Sequence, residues 1–275
     1  MVWTVKEGNL LTAIRKGSIS KINQAIQNGA KVNATDNDDW TPLMFATYNK
    51  APKKVIELLI AKGADVNATD NCGRTPLMFA LRYEAPKKVI ELLIDKDAKV
   101  NATDYDGKTP LMFAADNNAS KEVIELLINN KAKVNKKDAW GRTPLMAACR
   151  HNNASKEVIE LLIAKGADVN ATDNDGKTPL MLAKEFNAPK EVIELLEKKF
   201  IEAAPRFAAL KKANVIMKQE LAVADQKNAD LKQENANLKQ KITEQKVQQA
   251  WNNLQAKKIA KQRMRALRLG QYRHR

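Results

Sequence analysis

The side chains from which a catalytic centre could be assembled are few and scattered in this 275-residue chain. His151 has neither a nucleophile nor a second histidine at helical spacing, and the other histidine, His274, stands near the end of the sequence. A nucleophile and base held within hydrogen-bond reach are therefore not in view. Cys72 and Cys149 are too few for a disulfide framework and wrongly spaced for a zinc site. Asp173 and Asp175 form an acidic pair, but they lie in an Asp-Asn-Asp-Gly turn, where such carboxylates bond to the turn's own backbone. There is no glycine-rich phosphate loop and no metal-ligand cluster. No enzyme activity, metal or cofactor is expected.

The other chemistry on offer is positive charge. Residues 257–275 hold eight basic side chains and no acidic one: Lys257, Lys258, Lys261, Arg263, Arg265, Arg268, Arg273 and Arg275. Such a segment can neutralise phosphates and release their counterions, or lie on an anionic membrane or in an acidic groove. Past Leu254 the apolar residues do not keep one clean helical face, which weakens the membrane reading. A polyanion such as nucleic acid, an acidic protein surface and a merely solubilising tail all stay open. The charge is local: residues 1–203 carry 30 Lys and Arg against 27 Asp and Glu, whereas residues 204–275 carry 17 against 5. Two modules with different surfaces follow, 1–203 and 204–275.

What positions these residues is a repeat. Thr-Pro-Leu-Met begins at Thr41, Thr75, Thr109, Thr143 and Thr178. A period of 34 or 35 residues means a stack of similar small units, each burying its apolar side against the next. Within a unit, Thr-Pro predicts a helix start, since threonine can cap and proline loses no intrahelical bond in the first turn. Val55-Ile56-Glu57-Leu58-Leu59-Ile60 and its copies are apolar nearly all round and predict a second helix held between neighbours. Glycine after it, as in Gly63-Ala64-Asp65-Val66-Asn67, suits a left-handed C-terminal cap.

These motifs, TPL, the LL pair, GADVNA and DGKTPL, resemble those of the ankyrin repeat family over residues 9–200. The resemblance implies an all-α solenoid of helix, loop, longer helix and β-turn finger. The units would be an N-terminal cap at about 9–33 and repeats at about 34–67, 68–101, 102–135, 136–170 and 171–200, the last without a closing GADVN. Atypical ends suit a stack whose terminal units face water. Three departures from the family pattern stand out. Every TPL is followed by methionine where the family commonly has histidine, which predicts five core methionines supplying apolar volume alone. The loop between the helices is one residue longer and lacks its glycine. Asp97 and Lys131 replace the cap glycine in two adjacent repeats.

The resemblance also implies binding through the turn fingers and the exposed side of the first helices, the concave face of such arrays. Between near-identical repeats the residues that differ lie there. Trp40, Arg74 and Arg142 precede TPL; Tyr105 and Trp140 stand in the turns; Tyr48, Arg82, Tyr83, Arg150, His151 and Phe186 close the first helices. Tyr, Trp and Arg are common interface anchors, so these eleven are the candidate contacts for a protein partner. A surface that drifts freely between repeats is the other reading.

From Phe207 to Leu269 there is neither proline nor glycine, which predicts one long helix. A heptad fits about 207–245, with Leu210, Met217, Ala224, Leu231, Leu238 and Gln245 at d and Asn214, Leu221, Asn228, Asn235 and Ile242 at a. The asparagines at a favour a parallel dimer. In that dimer Glu220 would meet Asp225 and Lys227 would meet Lys232, both repulsive, and only Glu234 with Lys239 attracts. Weak homo- or hetero-oligomerisation and a lone polar helix both remain open. No run of 18 apolar residues and no secretory leader are found, so a reducing cytoplasmic or nuclear setting is expected. The function expected is a non-catalytic scaffold for protein–protein interaction, with a tail-docked nucleic-acid or polyanion adaptor as the alternative.

Overall fold

The structure is a computed structural model. It describes residues 3–271, leaving out the side chains of residues 204–208, 210, 211, 214 and 266–271. Among the described residues there are helices and turns and no strand. The helices are α1 (Val5–Arg15), α2 (Ile19–Gln27), α3 (Pro42–Tyr48), α4 (Lys53–Ala61), α5 (Pro76–Arg82), α6 (Lys87–Asp95), α7 (Pro110–Asp116), α8 (Lys121–Asn129), α9 (Pro144–Cys149), α10 (Lys156–Ala164), α11 (Pro179–Glu185) and α12 (Lys190–Gln271). The chain divides into two compact units, Met1–Pro205 and Arg206–Arg275.

In the first unit the odd-numbered helices α1 to α11 stack in one layer and α2 to α10 in a second. From α3 onward the first helix of each pair is short, because Thr-Pro starts it and the loop follows within two turns. At α3, α5, α7 and α9 the threonine hydroxyl accepts from the methionine amide, at 3.2 Å for Met44 and 3.4 Å for Met146. The methionine contributes more than the apolar volume expected of it. The Thr41, Thr75, Thr109 and Thr143 amides each donate to the following methionine Sδ at 3.4 Å. A thioether thus closes the capping box that Glu or Gln closes elsewhere. Four methionines are buried as expected, but Met181 in the last repeat is 55% exposed. It has no following repeat to cover it.

Leu43, Leu77, Leu111 and Leu145 carry the core of the first layer, and Val55, Ile56, Leu59 and their copies carry the second. Replacing one of these leucines by alanine costs about 2–5 kcal/mol in a packed interior. The cap position is left-handed in every repeat that has one, with φ of 89° at Gly63 and Gly166, 64° at Asp97 and 68° at Lys131. The glycine-free interhelical loop is left-handed too, at Lys50, Glu84, Asn118 and Asn187.

Successive repeats are joined by an asparagine ladder. Asn33, Asn67, Asn101 and Asn135 each donate Nδ2 to the cap carbonyl of the next repeat, at Gly63, Asp97, Lys131 and Gly166, and each accepts at Oδ1 from the amide two residues on. The ladder ends at Asn170, whose Oδ1 is buried and has no partner among the described residues. Phe200-Ile201-Glu202 stands where Gly-Ala-Asp would close the sixth unit, and α12 continues through it. The amides a ladder would use stay inside the helix.

Candidate protein-binding face

Five fingers connect the pairs, and each is built on one aspartate. Asp36, Asp70, Asp104, Asp138 and Asp173 close the finger by donating the amide to the carbonyl four residues on. Each also accepts the amide of that same residue at Oδ1, at distances from 2.8 Å to 2.9 Å. This is the self-bonding expected for Asp173, whose Oδ1 accepts the Asp175 amide at 3.0 Å. Fingers then join to their neighbours through single backbone bonds, for example the Tyr105 amide to the Cys72 carbonyl at 3.0 Å and the Asn174 amide to the Trp140 carbonyl at 2.9 Å. Gly73 is needed at its place, because a Cβ there would meet the Tyr105 ring at 2.8 Å.

The second carboxylate oxygen distinguishes the fingers. Asp70 Oδ2 meets Arg74 Nη2 at 2.6 Å, and Asp138 Oδ2 meets Arg142 Nε at 2.9 Å. Lys108 instead pairs with Asp116 at 3.4 Å, and burial pushes the Asp104 carboxyl up against the pull of the Lys108 amide. In the first finger the fourth residue on is Trp40, and Asp36 Oδ2 is buried with no partner among the described residues.

Trp40 is spent on aromatic contacts. Its ring lies edge-on to Tyr48 at 5.3 Å and to Phe79 at 4.6 Å between centroids. Tyr48 meets Tyr83 edge-on at 4.6 Å, and Phe79 stacks on Tyr83 at 6.1 Å. Arg74 sits over Phe79 at 5.1 Å and Arg82 over Tyr83 at 5.8 Å. Tyr48 remains 41% exposed. A four-ring cluster with two guanidinium groups therefore spans the first two TPL repeats. Phe79 is buried beneath the other rings, in keeping with the Phe-Ala that follows TPLM in three repeats as framework.

The remaining expected contacts fall elsewhere. Trp140, 45% exposed, lies under Arg142 at 4.3 Å. Arg150 lies over Phe186 at 5.0 Å, joining the last two first helices. His151 follows Arg150, with Nε2 buried and without a partner among the described residues. Tyr105 is exposed at the third fingertip and makes no ring pair with the others. The face thus carries a large aromatic cluster at one end and two smaller cation–ring pairs at the other. Of the cysteines, Cys72 is exposed at a fingertip, whereas burial in α9 pushes the Cys149 thiol up to about 12.

On α12, Lys257, Lys258, Lys261, Arg263 and Arg265 are exposed. The Arg268 side chain, Arg273 and Arg275 lie outside the described residues, as do the Leu210 and Asn214 side chains of the heptad. No helix among the described residues is long and apolar enough to cross a membrane.

The comparisons agree with this architecture. A family model described as ankyrin repeats matches three times, over residues 10–104, 53–138 and 111–205. No curated protein matches the chain. Among solved structures, a chain from the complex of the predatory endopeptidase Bd0816 of Bdellovibrio bacteriovorus with immunity protein Bd3460 is similar. The two are 32% identical, over 70% of this chain and 97% of that one, with a TM-score of 0.61. With the family model covering most of its length and helix pairs repeating at the matching period, this chain belongs to the ankyrin repeat family, whose repeats serve protein–protein interaction.

Proposed function

We propose that the array is a non-catalytic recognition module that docks a protein partner on its fingers and first helices. The rings of Trp40, Tyr48 and Tyr83, seated on the buried Phe79 and flanked by Arg74 and Arg82, are the main anchor. The single observation that carries this reading is Trp40, which joins the ring cluster while the Asp36 carboxylate four residues before it lacks the arginine that Asp70 and Asp138 have. Rings held by one another and by stacked helices lose little freedom on binding, which favours affinity. The partner class to test first is a peptidase, because the similar solved chain comes from a complex of an endopeptidase with an immunity protein. The test is affinity capture from native lysate with full-length wild type and the Tyr48→Ala/Tyr83→Ala variant, quantified by mass spectrometry. Loss of one protein in the variant supports the face; equal recovery of every protein by both removes it.

A second reading concerns the tail. Lys257, Lys261 and Arg265 follow one another at four-residue spacing up one side of α12, with Lys258 beside them. This stripe suits phosphates on a polyanion such as nucleic acid. Binding to a single-stranded oligonucleotide that weakens steeply with added salt supports it. Binding that ignores salt, or no binding, removes it.

A further inference from the structure

We propose that α12 pairs with the α12 of a second copy of this chain as an antiparallel coiled coil over residues 213–248. Three features of the helix sort its faces. Met217, Leu221, Leu231, Leu238 and Ile242, which with Ala224, Asn228 and Asn235 form a stripe spaced alternately by four and three residues, are between 47% and 63% exposed. On the opposite side Gln226 donates to Asp230, Gln233 to Asn237 and Gln240 to Glu244, at 2.9, 3.2 and 3.0 Å. These bonds repeat every seven residues. The next one, Gln248 to Asn252, falls one residue out of phase, where the apolar pattern also changes. A seven-residue repeat of one apolar and one self-bonded polar face is the arrangement of a helix with a partner on one side.

The charges beside the stripe choose the partner and its direction. One flank reads Glu220, Lys227, Glu234, Lys241, alternating in sign at each heptad, and the other reads Lys218, Asp225, Lys232, Lys239. No ion pair engages any of these eight among the described residues. In a parallel pair, residues from the first flank meet residues of the second five positions on. Glu220 then faces Asp225, Lys227 faces Lys232 and Lys241 faces Lys246, all repulsive, and only Glu234 with Lys239 attracts.

An antiparallel pair brings each flank against its own counterpart. With the twofold axis between residues 229 and 230, Glu220 faces Lys241 of the second copy, Lys227 faces Glu234 and Asp225 faces Lys232. Lys218 with Lys239 is the one repulsion among these eight side chains. Sliding the pair by one heptad in either direction sets Lys227 or Glu234 against itself, so the alternation fixes the register as well. The seam layers become Met217 with Ile242, Leu221 with Leu238, Leu231 with Asn228 and Ala224 with Asn235.

The asparagines oppose this arrangement, since in a parallel pair Asn228 and Asn235 would each meet themselves and bond. Charge decides against them. Three of four flanking pairs repel in the parallel form, which also sets the exposed cations Lys257 to Arg265 of both copies side by side. Polar seam residues make the association weak and reversible.

Sedimentation of the full-length protein over a concentration series tests this, with wild type, Lys227→Glu, Glu234→Lys and the double swap. Circular dichroism checks that helix content is unchanged. We expect a reversible monomer–dimer equilibrium, weakened about tenfold in each single variant and returned to the wild-type value in the double. A wild type that stays monomeric throughout overturns the proposal. So does tighter association of Lys227→Glu, because a parallel pair would place the new glutamate against Lys232.

Discussion

Trp40 stands four residues after Asp36, where the second and fourth fingers place the arginine that meets the aspartate's Oδ2, and Asp36 Oδ2 is left buried and without a donor among the described residues. An unpartnered buried carboxylate oxygen is costly, so the first finger gives up stability to hold an indole in the ring cluster. Trp40→Arg should then reverse the trade. A charge-assisted bond to Asp36 contributes about 1.5–3 kcal/mol; an aromatic pair contributes about 0.5–1.5 kcal/mol beyond its buried area, and the arginine stem keeps part of that area, as Arg74 does over Phe79. The expected outcome is a variant more stable by about 1 kcal/mol in denaturant titration that no longer binds the partner. A destabilised variant refutes the trade.

Lys131→Gly should stabilise the array by about 0.5–1 kcal/mol. Lys131 is held at φ of 68°, a region that glycine enters without strain, and Gly63 and Gly166 fill the same place in other repeats with open space around them. The denaturant midpoint should rise; an unchanged or lowered midpoint contradicts the explanation.

The ladder makes a graded prediction. Asn101→Ala removes two bonds between repeats, to the Lys131 carbonyl and from the Lys133 amide, and should cost about 1–2 kcal/mol. Asn170→Ala should cost less than about 0.5 kcal/mol, because Asn170 Oδ1 has no partner to lose among the described residues. Equal losses in chemical denaturation would show that the ladder is not what joins the units.

The two cysteines should separate cleanly. Cys72 reacts with a thiol reagent in the folded protein, whereas Cys149 reacts only on unfolding. Burial raises the Cys149 thiol from 9.0 to about 12, so above pH 9 the unfolded chain ionises first. The native protein keeps the proton, and the stability this group contributes is complete below pH 9 and lost between pH 9 and 12. Relative to Cys149→Ala, wild type should lose stability with a limiting slope near 1.4 kcal/mol per pH unit in that window. Parallel pH profiles for the two proteins would contradict the assignment.

The repeat, its helix starts and its cap positions were legible in the sequence because Thr-Pro and a recurring glycine mark backbone states directly. The long helix was legible from the lack of proline and glycine after Phe207. α12 nevertheless begins at Lys190 and takes in Pro205, since nothing like Gly63 stops the helix after Lys199. What the sequence hid was three-dimensional. The methionine sulfur bond to the threonine amide depends on rotamer, and Phe79 belongs to the ring cluster only because Trp40, 39 positions earlier, lies on the neighbouring finger. Neither Asp36 nor Asn170 looks unlike its copies until the residue missing from its side is found in space.

The most direct test of the recognition face is quantitative capture from native lysate with full-length wild type, Trp40→Arg and Tyr48→Ala/Tyr83→Ala, each with and without nuclease. The predicted result is a protein retained by wild type regardless of nuclease and lost by both variants, while thermal unfolding shows both variants folded. Retention by all three, or recovery that nuclease abolishes, would contradict it and move the recognition function off the aromatic cluster.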